Sequence, residues 1–224
     1  IATKDDISNA FDGITYEKGS SVIRMFESWA GEKKFQAGVT AYLKRYSYKN
    51  ARASDFLDAI AATGQPQLTR AFSTYLEQPG FPLISVALNC SAAPALSLTQ
   101  KRYLPTGSAG NSKQVWQTPV CVRYQTAKGD QKECFLLDKP AAEFKLANAT
   151  SCPTNLSANA DAAGNYITRY DSAQLAKLLA GDYLNAAERM TLLHDLTSLL
   201  NAGEIPQGDV LAAAAAFAKA PERQ

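Results

Sequence analysis

The sequence predicts an α+β chain with more than one domain: helices first, then a β-sandwich, then helices again. Three observations carry this. Apolar residues recur at helical spacing up to position 79. The breaker Pro79-Gly80-Phe81-Pro82 ends that pattern, and short alternating segments follow. Helical spacing then returns at Ser172.

Residues 1–79 read as helical. Val22, Met25, Phe26 and Trp29 form one stripe, with Gly31 as its C-cap. A second helix carries Phe35, Val39, Tyr42, Leu43 and Tyr46. A third starts at Ser54 as N-cap, with Asp55 and Asp58 in its first turn, and ends at Gly64. A fourth carries Leu68, Ala71, Phe72, Tyr75 and Leu76 and is stopped by Pro79.

Strands are expected over 83–89, 95–104, 115–126, 131–138, 142–147 and 165–171. Ile84, Val86 and Leu88 share one face, as do Val120, Val122 and Tyr124. Six short strands across some ninety residues point to a small sandwich. After Ser172, Leu175, Leu178 and Leu179 make a stripe that Gly181 ends. Asn185 and Glu188 make a capping box for a helix with Met190, Leu193, Thr197 and Leu200 inward and Gly203 as its stop. An Ala-rich helix over 207–220 comes last.

Composition removes several functions. The 224 residues carry a net charge of +2, too little for a nucleic-acid footprint. No apolar run is long enough to span a bilayer. The chain opens on Ile1 and the polar stretch Thr3 to Asn9, without a leader pattern, and reads as a processed product or a piece of a longer chain. His194 is the sole histidine, so an HExxH zinc site cannot be built from this chain, and acid–base chemistry near neutral pH has one candidate. Its place near the inward stripe of a late helix reads as a partly buried structural histidine. Cys90, Cys121, Cys134 and Cys152 lack CxxC spacing and all fall in the predicted β region. Three disulfide connectivities are open. The turn at Ala127–Asp130 favours Cys121–Cys134 across a hairpin, which leaves Cys90–Cys152 and an oxidising, periplasmic or extracellular location. The alternative is four buried thiols in a cytosolic protein. The sequons at Asn89, Asn148 and Asn155 are short patterns that arise by chance.

Residues Phe11-Asp12-Gly13-Ile14-Thr15-Tyr16-Glu17-Lys18-Gly19, continuing through Val22 to Met25, resemble a phrase of the aminopeptidase N family of gluzincin zinc peptidases. The likeness continues in order. Gly31, Phe35, Gly38, Tyr42 and Leu43 match, then Tyr48-Lys49-Asn50-Ala51 and Asp55-Phe56. Gln78-Pro79-Gly80-Phe81-Pro82 resembles the entry to the family's β-sandwich, and Asn165 to Tyr170 its exit. Glu188-Arg189, Leu192 and Asp195 resemble the start of its C-terminal helical domain.

The resemblance implies the helical end of a thermolysin-like catalytic domain (1–79), a β-sandwich domain (80–171) and the start of a helical domain (172–224). It implies peptide substrates, and zinc in the parent enzyme but none bound by this chain. The family's HExxH, distal Glu and GxMEN segments are absent, so the chain is expected to pack against a missing upstream catalytic half. In the family, zinc-activated water attacks the scissile carbonyl. The tyrosine matching Tyr16 donates a hydrogen bond to the oxyanion, which suits a phenol that stays protonated at neutral pH. Glu17 and Lys18 read as helix-positioning or solvated charges, and Gly19 as a site of close packing. The rival reading is a non-catalytic binding or structural module built on the sandwich and its flanking helices.

Overall fold

The computed structural model describes residues 13–91 and 93–218, so readings that rest on Ile1 to Asp12 and on the last six residues lie outside it. Seven α-helices and two β-sheets make an α+β architecture among the described residues. They divide into two compact units, one running up to Glu77 with Ala163–Asn165, the other holding the remainder.

The first unit is built from α1 (Gly13–Ala30), α2 (Glu32–Arg45), α3 (Ala53–Ala61) and α4 (Leu68–Glu77). Phe26, fully buried, is the hub of its core. Its ring lies 4.8 Å from Phe72, 5.9 Å from Trp29 and 6.0 Å from Tyr75. Val22, Met25, Leu57, Ile60, Leu68 and Ala71 fill the space around it. The expected stripes of α1 and α4 therefore face inward, except that Leu76 is 61% exposed. Gly31 follows α1 with φ +86, a left-handed angle that glycine adopts without penalty.

Close packing belongs to another glycine than Gly19. A Cβ on Gly19 would meet open space, whereas one on Gly38 would lie 2.6 Å from Ile60 Cα. Gly38 lets α2 and α3 cross closely. The start of α3 also differs from expectation. Asp55 reaches back to accept from the Arg52 N–H at 2.7 Å, so Arg52 rather than Ser54 holds the cap position. That N–H, helped by the Tyr46 hydroxyl, keeps the Asp55 carboxyl below its ordinary value.

In the second unit, β1 (Pro82–Asn89) lies between β2 (Ala95–Arg102) and β7 (Ile167–Tyr170), and β5 (Ala141–Lys145) flanks β2. The β1–β2 and β2–β5 pairs are antiparallel, and β1–β7 is parallel. The other sheet has β3 (Thr118–Thr126) between β4 (Gly129–Leu137) and the two-residue β6 (Leu156–Ser157), a strand that the periodicity does not announce. Ile84, Val86, Leu96 and Leu98 in one sheet, and Val120, Val122 and Tyr124 in the other, are buried, as alternation requires. Gln100 is a polar residue inside this region with its hydrogen bonds made. Its amide donates to the carbonyls of Trp116 (2.9 Å), Leu137 (3.1 Å) and Lys139 (3.0 Å), and its oxygen accepts from Trp116 N–H.

Both favoured disulfides are present. Cys121 and Cys134 sit directly opposite in the β3–β4 register, with Cα atoms 3.9 Å apart, and Cys90 and Cys152 are joined with Cα atoms 5.5 Å apart.

The helical part comprises α5 (Ser172–Ala180), α6 (Ala186–Asn201) and α7 (Gln207–Phe217). Leu83 and Ile167 of the sheet form one apolar cluster with Leu175, Leu178, Leu192, Leu196 and Leu199 of the helices. The inward face of α6 is therefore not the expected one. Met190 is 58% exposed and Thr197 lies outside, while Glu188, Leu192, Asp195, Leu196 and Leu199 are buried. With Ser198 also buried, three of the six inward positions are polar and two of those acidic, which hides the face from any reading based on hydrophobicity.

Glu188 makes the exception possible. Its two oxygens accept from Arg123 in a bidentate pair, from Asp161 N–H at 3.1 Å and from Asn185 N–H at 3.1 Å. Arg123 also donates to Asp130 (2.7 Å) and to the Tyr183 carbonyl (2.8 Å), and its guanidinium lies 4.1 Å from the centre of the Tyr183 ring.

Glu188→Ala should destabilise the protein by about 3–5 kcal/mol, since Arg123 loses its buried partner. Glu188→Gln, which keeps the cap acceptor, should cost less; equilibrium urea unfolding measures both. The two disulfides should also differ. Chain entropy gives about 3 kcal/mol for the bridge spanning 13 residues and about 4 kcal/mol for the one spanning 62. Paired Cys→Ser variants compared by the same unfolding experiment should show the Cys90–Cys152 pair to be the more costly loss.

Candidate active-site segment

Tyr16 stands in the first described turns of α1 and is 63% exposed. One helical step on, Gly19 and Ile23 fall on the same stripe by spacing. Both line a cleft of about 520 Å³ in the first unit, together with Lys18, Phe56, Leu57, Phe72 and Tyr75. The wall is mainly apolar, with Lys18 the one charged residue among those lining it. Ile23 and Leu76 line the cleft while remaining 37% and 61% exposed. Glu17 contributes its carbonyl to Ser20 Oγ at 3.0 Å, a local helix contact. The same helix thus carries an exposed tyrosine and, one and two turns on, residues of an open apolar cleft that can bury an apolar group.

His194 belongs to the second unit. It is not the partly buried histidine expected from its position: its side chain is 71% exposed. The shift of the α6 inward face places it outside. Its Nδ1 lies 3.8 Å from Oδ1 of buried Asp195. The neighbouring Asp195 carboxyl raises the imidazole above its ordinary value, with burial opposing. Desolvation raises the Asp195 carboxyl, opposed by His194 and by the Thr168 N–H, which donates at 2.9 Å.

A second, larger cleft of about 600 Å³ opens over the β1–β2–β7 face. Glu204 lines it and accepts from both Lys101 and Arg169. Neither this cleft nor the Arg123–Glu188 cluster could be found from the sequence, because their members lie scattered among β strands, turns and α6.

Zinc does not fit these residues. Among the described residues no three His, Cys, Asp or Glu side chains converge where a metal could sit. The cysteines are held in disulfides and the histidine is paired with Asp195. No described helix is long and apolar enough to cross a membrane. Metal analysis of the isolated 224-residue chain after dialysis should find far less than one zinc per molecule. One tightly held zinc, with hydrolysis of an aminoacyl amide, would show that the chain carries its own site.

Residues 1–75 match the Peptidase family M1 domain. The likeness to individual proteins extends much further. The chain is 32% identical over 204 residues to an alanine/arginine aminopeptidase of Saccharomyces cerevisiae, covering 91% of this chain and 23% of that protein. It is 29% identical over 232 residues to aminopeptidase M1 of Arabidopsis thaliana, covering 96% of this chain and 25% of that protein. It is 29% identical over 215 residues to a human glutamyl aminopeptidase, covering 90% and 21%. The chain thus spans about a quarter or less of the length of these relatives. With the M1 domain match at one end and aminopeptidase likeness across nine tenths of its length, the chain belongs to the M1 family of aminopeptidases.

Proposed function

We propose that this chain is the part of a zinc aminopeptidase that lies downstream of the metal-binding motif, in an enzyme that removes amino-terminal residues from peptides. The observation that carries the reading is the likeness to aminopeptidases over at least 90% of the chain, with the M1 domain match over residues 1–75, the stretch that holds Tyr16. On this reading residues 1–79 complete a thermolysin-like catalytic domain, 80–171 form a β-sandwich domain, and 172–224 begin a C-terminal helical domain. The two β-sheets, one mixed and one antiparallel, preceded and followed in the chain by helices, support that assignment. The exposed apolar cleft on the first unit supports packing of that unit against the upstream catalytic half. The two disulfides support a periplasmic or extracellular location.

Tyr16 is the catalytic residue proposed here. Its phenol donates to the oxygen that gains negative charge as the scissile carbonyl becomes tetrahedral. A neutral donor bonds more strongly to that anion than to the ground-state carbonyl, so its effect is concentrated in the transition state. The exposure of Tyr16 in the first unit is compatible with a residue that meets substrate.

Tyr16→Phe in the complete enzyme tests the assignment. The change removes a hydroxyl from an exposed ring, so folding and zinc content should survive. kcat should fall by about 10²–10³, worth roughly 2.7–4 kcal/mol, while KM moves less. Wild-type kcat at full zinc content would remove Tyr16 from the mechanism.

A further inference from the structure

Beside the apolar cluster of the second unit lies a small cavity of about 10 Å³. Its lining includes Ser157, Asn159, Thr168, Tyr170 and Asp195. The space matches the room that one water molecule needs. Two of these residues have polar atoms that make no hydrogen bond: Thr168 Oγ1, and Asp195 Oδ1, which His194 Nδ1 approaches only to 3.8 Å. Both residues are almost completely buried, at 1% and 2% exposure. Their backbone–side-chain link is already made, since Thr168 N–H donates to the other Asp195 oxygen at 2.9 Å. The neighbouring groups have other commitments. Tyr170 OH accepts from Ala158 N–H at 2.8 Å, and Glu188 is occupied by Arg123, Asp161 and Asn185.

Buried polar atoms left bare are rare in folded proteins, and a pair beside a cavity of one-water size calls for a bridging molecule. We propose that the cavity holds one ordered water that donates to Asp195 Oδ1 and hydrogen-bonds Thr168 Oγ1. Water suits the pair because it can donate to the carboxylate and either accept from or donate to the hydroxyl. A hard cation would need six or more oxygens at short range, and the charge of neighbouring Glu188 is already met by Arg123. The water joins β7, which carries Thr168, to α6, which carries Asp195. It completes a polar seam next to the apolar contacts of Leu178, Leu184 and Leu192.

High-resolution crystal structures of the full chain, wild type and Thr168→Val, grown with rubidium present, test this. The expected wild-type map has one water peak within about 2.7–3.2 Å of both Thr168 Oγ1 and Asp195 Oδ1, with no anomalous signal. In Thr168→Val that peak vanishes. An empty wild-type cavity, a direct Thr168–Asp195 side-chain bond in its place, or an anomalous rubidium peak overturns the proposal. A peak that persists unmoved in Thr168→Val also overturns it, because Thr168 then holds nothing. If Thr168→Val fails to fold, the wild-type map decides alone.

Discussion

The bidentate pair between Arg123 and Glu188 is the constraint on which the second unit depends. A carboxylate with 1% side-chain exposure is tolerable only when its oxygens are fully engaged, and Glu188 engages them in four ways. Each partner comes from a different place: a β3 strand, the 3-10 turn at Ala160–Ala162, and the residue that caps α6 itself. Asp161 bends there with φ +58, and its carboxylate in turn meets Lys132 at 2.9 Å. The ion pair raises Arg123 further into its charged form against the cost of burial. Where α6 sits on the sheet is therefore specified by directional bonds as well as by apolar area. A purely hydrophobic face could slide or rotate by a residue; a forked bond to a guanidinium cannot.

The same arrangement explains what was legible in the sequence. Elements whose inward positions are wholly or mainly apolar were readable: Val22, Met25 and Phe26 in α1, or Val120, Val122 and Tyr124 beside buried Thr118 in β3. In α6 the rule failed at Glu188 and Asp195, because a satisfied buried carboxylate carries the same letter as a solvated one. The capping box marked Glu188 as the start of a helix, and that was correct. Nothing local could reveal that the same carboxylate also receives an arginine sixty-five residues away. The two-residue β6 was missed for a related reason: it exists through pairing with Arg123 and Tyr124 of β3, not through its own pattern. At the candidate site, Tyr16 is one tyrosine among ten. Composition and spacing leave it anonymous, and only its place in an ordered family phrase singles it out. The cleft lined further along the same helix draws its walls from three helices, α1, α3 and α4, so it has no linear signature.

The two units use different devices to bring elements close. In the first, small size does it: Gly38 lets α2 pass within backbone contact of Ile60, and aromatic rings fill the rest. In the second, polar groups are threaded through the interior and satisfied there, as Gln100 is between three carbonyls. The first device tolerates little added volume at one point. The second tolerates little change in chemistry at several.

The disulfides are nested, with Cys121–Cys134 lying wholly inside the span closed by Cys90–Cys152. That nesting has a consequence for a protein exposed to proteases. A single cut in the loop after Arg102, or anywhere else between Cys90 and Cys152, opens the chain without releasing a piece. The halves remain one covalent molecule, and the strands on either side can stay paired. A cut in the two-residue turn between β3 and β4 is held twice, by the inner bridge and by the outer one. The most turn-rich stretch of the chain is thereby the one in which a nick is least able to become a loss.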